Sequence, residues 1–258
     1  GLGKTIEAGL IIHAQRVQGR AERVLILLPD SLVHQWLVEM RRRFNLAFSL
    51  FDLERCAAMA EMGDNPFTSE QLIIAPLSLL TDHPLLQAEA LNAPWDMLVV
   101  DEAHHLAWSP EASSVEYDTV AALAAVVPSL LLLTATPEQL GVESHFARLQ
   151  LLDPARYPSL DEFMDAHEQW DETRALADAL LDNQLNAEQS QILTTQLADL
   201  TLDLSTESGR KQALNALLDR YGLGRVLFRN TRAAVGGFPA RASHPVLLDT
   251  PECYAPWL

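Results

Sequence analysis

A chain of 258 residues with 48% apolar side chains can build one large domain or a domain with an insertion, and it is too apolar for wholesale disorder. Its net charge of −17 argues against a protein that grips nucleic acid over its whole surface, so any phosphate-binding track must be local. The apolar runs are far shorter than the roughly 20 residues a membrane span needs, and Cys56 and Cys253 lack metal-ligand spacing, so a cytoplasmic protein of a reducing compartment with no membrane partner is expected.

The chain opens on Gly1-Leu2-Gly3-Lys4-Thr5. Glycines let backbone N–H groups approach phosphate oxygens, and a helix that follows presents its positive end to the anion. In such a loop Lys4 reaches the β- and γ-phosphates of ATP, and the Thr5 hydroxyl binds Mg²⁺. The bland alternative is a glycine-rich turn before a helix. Beyond Lys4, Ile6, Leu10, Ala14 and Val17 share a helical face. The run Val24–Leu28 reads as a buried strand, and Val33, Trp36, Leu37, Met40 and Phe44 form the next helical stripe.

Further buried strands are predicted over 72–75, 97–101 and 130–134, with a helix carrying Tyr117, Val120, Ala124 and Val127 between the last two. Strands alternating with helices predict an open α/β sheet with right-handed crossovers. The acidic pair Asp101-Glu102, then Ala103-His104, sits at the carboxyl end of one predicted strand, where open sheets of this kind bind ligands. Asp101 can hold Mg²⁺ and Glu102 can orient or deprotonate a water, with His104 in reach of a γ-phosphate. The plain alternative is a helix-capping aspartate with solvated neighbours. Thr134-Ala135-Thr136-Pro137 follows the next strand, where two hydroxyls can relay hydrogen-bond changes, although threonine also simply favours strands.

Past Pro154 the texture changes. Residues 159–222 hold thirteen acidic and four basic side chains. Ser159-x-x-Glu162 and Asn186-x-x-Gln189 read as helix starts, and a third helix carries Leu214, Leu217 and Tyr221 before Gly222. The predicted organisation is 1–158 as the α/β domain, 159–222 as an acidic helical insertion and 223–258 as a turn-rich tail. Trp36, Trp95, Trp108 and Trp170 read more readily as packing than as base-stacking platforms.

The ordered motifs resemble those of the superfamily-two helicase-like ATPases. Gly1–Thr5 is similar to their phosphate-binding motif I, Asp101–His104 to motif II and Thr134–Thr136 to motif III. Leu28-Pro29-Asp30-Ser31-Leu32-Val33-His34-Gln35-Trp36 resembles motif Ia of the Swi/Snf branch, and 74–79 resembles the element after it. Arg229-Asn230-Thr231-Arg232, with Gly237-Phe238-Pro239 and Asp101-Glu102-Ala103-His104-His105, is similar to the bacterial RNA polymerase-associated members of that branch.

The resemblance implies a RecA-like P-loop lobe that uses ATP and Mg²⁺. Lys4, Asp101 and Glu102 would be catalytic, Gly1, Leu2, Gly3, Lys4, Thr5 and His104 would hold nucleotide, and Thr5 and Asp101 would hold the metal. Pro29, Gln35, Trp36, Thr134 and Thr136 would couple to or contact nucleic acid, with duplex DNA and RNA polymerase core as partners. It further implies that the strand before Gly1, the adenine site and a second lobe lie outside this chain, which alone would be inactive. Another superfamily-two helicase, a restriction-type translocase and a non-catalytic docking module are the alternatives.

Overall fold

Uniformly apolar runs become strands buried on both faces. In the computed structural model, which describes residues 3–61, 63–134, 141–165, 176–177, 179–180, 185–197, 204 and 206–221, these are β1 (Val24–Leu28), β3 (Leu72–Pro76), β4 (Met97–Val100) and β5 (Leu130–Leu132), joined by a two-residue β2 (Ser49–Leu50). They form one five-stranded sheet in the order β2-β3-β1-β4-β5, with every pair parallel. Val24 of β1 lies opposite Leu72 on one side and Met97 on the other. This is the RecA-like α/β architecture expected from the motif order. The described sheet has no internal gap; β2 and β5 are its ends.

The period of two along each strand divides the core. Val24, Ile26, Leu28, Ile74, Met97 and Val99 face α1 (Lys4–Val17) and α2 (Val33–Phe44), which contribute Ala8, Ile12, Val33, Trp36 and Met40. The alternate residues Leu25, Leu27, Ile73, Ala75, Leu98 and Val100 face α3 (Leu53–Ala60), α4 (Ser78–Thr81), α5 (Pro84–Leu91) and α6 (Val115–Ala124). Every residue of β1 is buried. At about 1.5–3 kcal/mol for each fully buried aliphatic side chain, this strand is the energetic centre of the lobe.

Local chemistry sets the helix ends. Asp52 accepts the backbone N–H of Arg55 to start α3, and Ser114 accepts that of Tyr117 to start α6. On the sheet face that carries the first two helices, Gly9 allows a close approach: a Cβ there would lie 2.1 Å from Cε2 of Phe44.

At the amino ends of the strands a polar clasp closes the sheet. One oxygen of Asp96 accepts the N–H groups of Glu22 and Arg23, both at 2.8 Å. The Arg23 guanidinium donates to the carbonyls of Phe67 and Glu70 and lies 5.5 Å from the centre of the Trp95 ring.

Several boundaries differ from the sequence reading. Strand β4 ends at Val100, so Asp101 lies just beyond it, and β5 ends at Leu132, two residues short of Thr134. Helix α7 (Val142–Leu152) opens after Gly141. In the acidic stretch, the Glu162 N–H donates to the Ser159 hydroxyl, and Asn186 with Gln189 forms a reciprocal capping box opening α8 (Ala187–Gln196). Helix α9 (Glu207–Tyr221) lies where the third helix was predicted, and Gly222 lies outside the described residues. Leu176, Leu180, Leu193, Leu197 and Ala213 make a small core of their own. The tail predicted over 223–258 lies outside the described residues, as does much of 159–222. Among the described residues no helix is long and apolar enough to cross a membrane.

Candidate functional site

Gly3 caps α1 in the left-handed region, at φ 86° and ψ 19°. Open space surrounds the position of a Cβ there, so the requirement for glycine is conformational, about 1–2 kcal/mol for any other residue. The Ile6 and Glu7 N–H groups both donate to the Gly3 carbonyl. The earlier N–H groups, of Lys4 and Thr5, precede the first intrahelical donors and belong to the positive end of the helix. The Lys4 side chain turns toward the carboxyl ends of the strands. Its ammonium lies 3.2 Å from Glu102 Oε1 and 3.7 Å from Asp101 Oδ1.

Asp101 is buried and fully engaged. Its Oδ1 accepts the Glu102 N–H at 2.8 Å, and its Oδ2 accepts the Trp36 indole N–H at 2.9 Å. Backbone bonds fix the chain on both sides of the acidic pair: Asp101 N–H to the Leu27 carbonyl and Ala103 N–H to that of Leu133. Between these anchors Glu102 adopts φ 50°, ψ 42°. A left-handed conformation at a non-glycine residue costs energy and concentrates at functional sites. Here it swings the Glu102 carboxylate back over Lys4.

Glu102 Oε2 faces Nδ1 of His104 at 3.0 Å. The two buried atoms are not aligned as a hydrogen bond, and neither has another hydrogen-bond partner. Burial, then the neighbouring His105 ring at 4.1 Å between centroids, pushes the His104 pKa below its ordinary 6.5 against the opposing pull of Glu102. These surroundings favour the neutral imidazole of His104 over its charged form.

Lys4, Asp101, Glu102 and His104 thus meet in one cleft, with Thr5 half-buried beside Lys4 in the first turn of α1. Pro29 is half-buried and Gln35 exposed, flanking the single turn Asp30–Leu32. Trp36 is different from what a nucleic-acid contact needs: it is 1% exposed and points into the cleft wall, so direct contact is closed to it while a coupling role is not. Thr134 is half-buried beyond β5; Gly1, Leu2 and Thr136 lie outside the described residues.

Two features escaped the sequence reading. The Ser78 hydroxyl donates to the Asp30 carboxylate at 3.0–3.1 Å, tying the loops after β1 and β3 together. The Trp36–Asp101 bond spans 65 positions, and only the shared placement of both residues after neighbouring strands hints at it.

The donor set suits a hard cation. Asp101 supplies a carboxylate and Thr5 a hydroxyl, and beside them Glu102 Oε2 is a buried acceptor without a hydrogen-bond donor. Among the described residues no group of three or more His, Cys, Asp or Glu forms a dedicated metal cage. This fits Mg²⁺, which usually takes one or two carboxylates and completes its shell with waters and substrate phosphates.

Comparison with known proteins gives the family and the fold. Residues 1–247 match the family described as SNF2-related domain. The chain is 50% identical over 268 aligned positions to the RNA polymerase-associated protein RapA of Proteus mirabilis (strain HI4320), covering 98% of this chain and 27% of that protein. The chain therefore spans about a quarter of that relative's length. In structure it is similar to the Sulfolobus solfataricus SWI2/SNF2 ATPase core domain, with a TM-score of 0.54 and 17% identity over 93% of this chain and 40% of that one. It is also similar to the same organism's ATPase core in complex with dsDNA, with a TM-score of 0.51 and 20% identity over 64% and 32% of the two chains. At these identities the structural matches speak for the fold.

Proposed function

The chain belongs to the SNF2-related domain family, and we propose that its cleft binds Mg·ATP and hydrolyses it as one lobe of a nucleic-acid motor. The observation that carries this reading is the meeting of Lys4 with Asp101 and Glu102 at 3.2–3.7 Å, at the positive end of α1 and the carboxyl ends of the strands.

The first-turn N–H groups of α1 and the Lys4 ammonium bind the phosphates. Thr5 and Asp101 hold the metal. Mg²⁺, when bound, neutralises charge on the β- and γ-phosphate oxygens. In the ligand-free arrangement Lys4 neutralises Glu102; arriving phosphates compete for the ammonium and release the carboxylate. Glu102 then orients a water and accepts its proton as the water oxygen bonds to the γ-phosphorus and the bond to the bridging oxygen breaks, leaving ADP and phosphate. The His104 ring lies against Glu102 Oε2 and restricts where that carboxylate can turn.

Movement along duplex DNA is proposed for the whole protein, supported by the fold shared with an ATPase core seen with dsDNA. Association with RNA polymerase core during transcription, in its recycling, is proposed from the 50% identity to an RNA polymerase-associated protein. Pro29 and Gln35, on one rim, and Thr134 with Thr136 are the proposed coupling residues. The acidic stretch is not expected to bind nucleic acid, because thirteen carboxylates against four cations repel phosphates.

Single-turnover hydrolysis tests the reading. Full-length Glu102→Gln should bind ATP and fail to hydrolyse it, and Lys4→Ala should bind phosphates weakly. The present chain alone should turn over negligibly, since a transition-state arginine expected from a second lobe contributes on the order of 10³–10⁵ in rate in related NTPases. Normal turnover by Glu102→Gln would overturn the assignment.

A further inference from the structure

Asp101 has one oxygen facing the cleft and one facing the protein. Oδ1 accepts the Glu102 N–H and lies 3.7 Å from the Lys4 ammonium, whereas Oδ2 is taken by the Trp36 indole at 2.9 Å. The indole is 1% exposed and Asp101 7%, so neither competes with water for the other. A charge-assisted bond of this kind fixes both the direction and the rotation of a carboxylate. Trp36 in turn is held by α2, among Val33, Met40 and the β-strand residues Ile26, Leu28 and Ile74. Its ring cannot turn without displacing that packing.

Resting on the nucleotide reading above, we propose that Trp36 is a positioning residue for the metal: its indole N–H holds the Asp101 carboxylate in the orientation Mg²⁺ requires, and so sets metal affinity in the nucleotide complex. Partners behind a metal's direct ligands typically change affinity by about 10–100-fold when removed. The same bond gives α2 a direct mechanical connection to the metal carboxylate. Gln35, exposed on the rim, is the residue next to Trp36, so a shift of this helix turn is felt at Asp101.

The test uses the full-length protein and a fluorescent ATPγS analogue, titrated in EDTA and across a range of Mg²⁺. Trp36→Phe keeps most of the ring and removes the donor. It is expected to bind the analogue in EDTA within about twofold of wild type but to need about ten times more Mg²⁺ to reach the tight complex. Trp36→His, which can again present a ring N–H, should recover part of that shift. A purely structural role would weaken EDTA and Mg²⁺ binding alike, and an unchanged Mg²⁺ requirement in Trp36→Phe would overturn the proposal.

If the phenylalanine variant does not fold, the wild-type sequence carries the test through 5-fluorotryptophan labelling. The indole resonance displaced by Asp101→Asn should be the one that moves when Mg²⁺ joins bound ATPγS. If that resonance stays still, the proposal fails. Loss of all nucleotide binding in wild type would instead fail the nucleotide reading itself.

Discussion

Replacing Glu102 by glycine should leave a more stable protein than replacing it by alanine. At an ordinary helix or strand position the order is the reverse, with glycine about 0.5–1 kcal/mol less stable because it loses more backbone freedom on folding. Glu102 sits at φ 50°, ψ 42°, where a Cβ meets the neighbouring carbonyl at a cost of about 1–2 kcal/mol. Both variants lose the Lys4 and His104 contacts equally, so those contributions cancel in the comparison. The remaining difference favours glycine by about 1 kcal/mol once its entropy is subtracted. For a domain of this size that corresponds to a melting temperature about 2–4 °C above that of the alanine variant. Paired thermal melts and urea titrations without nucleotide measure it, and hydrolysis should be absent from both. An alanine variant as stable as the glycine variant, or more so, would refute the left-handed geometry and with it the argument that strain at Glu102 aims its carboxylate.

Gly9→Ala normally gains about 1 kcal/mol inside a helix, but here the new Cβ would lie 2.1 Å from the Phe44 ring, so a net loss of about 1 kcal/mol is expected. In a Phe44→Leu background the sign should reverse, which urea midpoints of the four proteins in a double-mutant cycle would check. For His104, whose folded pKa is lowered below 6.5, the unfolded chain binds the extra proton. The stabilisation is thus complete above about pH 6.5 and is lost as pH falls below it. Melting temperatures between pH 7.5 and 5.5 should fall more steeply in wild type than in His104→Gln, and parallel slopes would contradict the shift.

The elements with strong periodicity were legible: β1, β3, β4 and β5 as apolar runs, α1 and α2 as one-sided stripes, and the cap at Asn186 from its side chain chemistry. Apart from β3, what lies between 49 and 91 was not. Strand β2 has two residues, α3 and α5 have eight each, and α5, with Leu85, Leu86, Ala88, Ala90 and Leu91, is apolar nearly all round and offers no stripe. The identities of Lys4, Asp101, Glu102 and His104 followed from motif spacing. Their geometry did not, because a glutamate carries no sign of the left-handed conformation that glycine would advertise. Trp36 shows the same limit. Its placement in a helical stripe predicted burial but gave no partner for its indole, because that partner is fixed by the pairing of β1 with β4 rather than by anything nearby in the chain.

The clasp at the amino ends of the strands has a genetic consequence. Arg23 and Asp96 gather the starts of β1 and β4 and the approach to β3, at the far rim of the sheet from Lys4 and Glu102. Alleles at these two positions should behave as heat-sensitive mutations: adequate in cool-grown cells, failing on warming, and repaired by raising expression or by a second substitution that restores thermal resistance elsewhere in the lobe. Alleles at Lys4 or Glu102 should show no such temperature threshold, and extra copies should not rescue them. A mutant screen sorted by growth temperature would therefore divide the two rims of a single sheet without any knowledge of its structure.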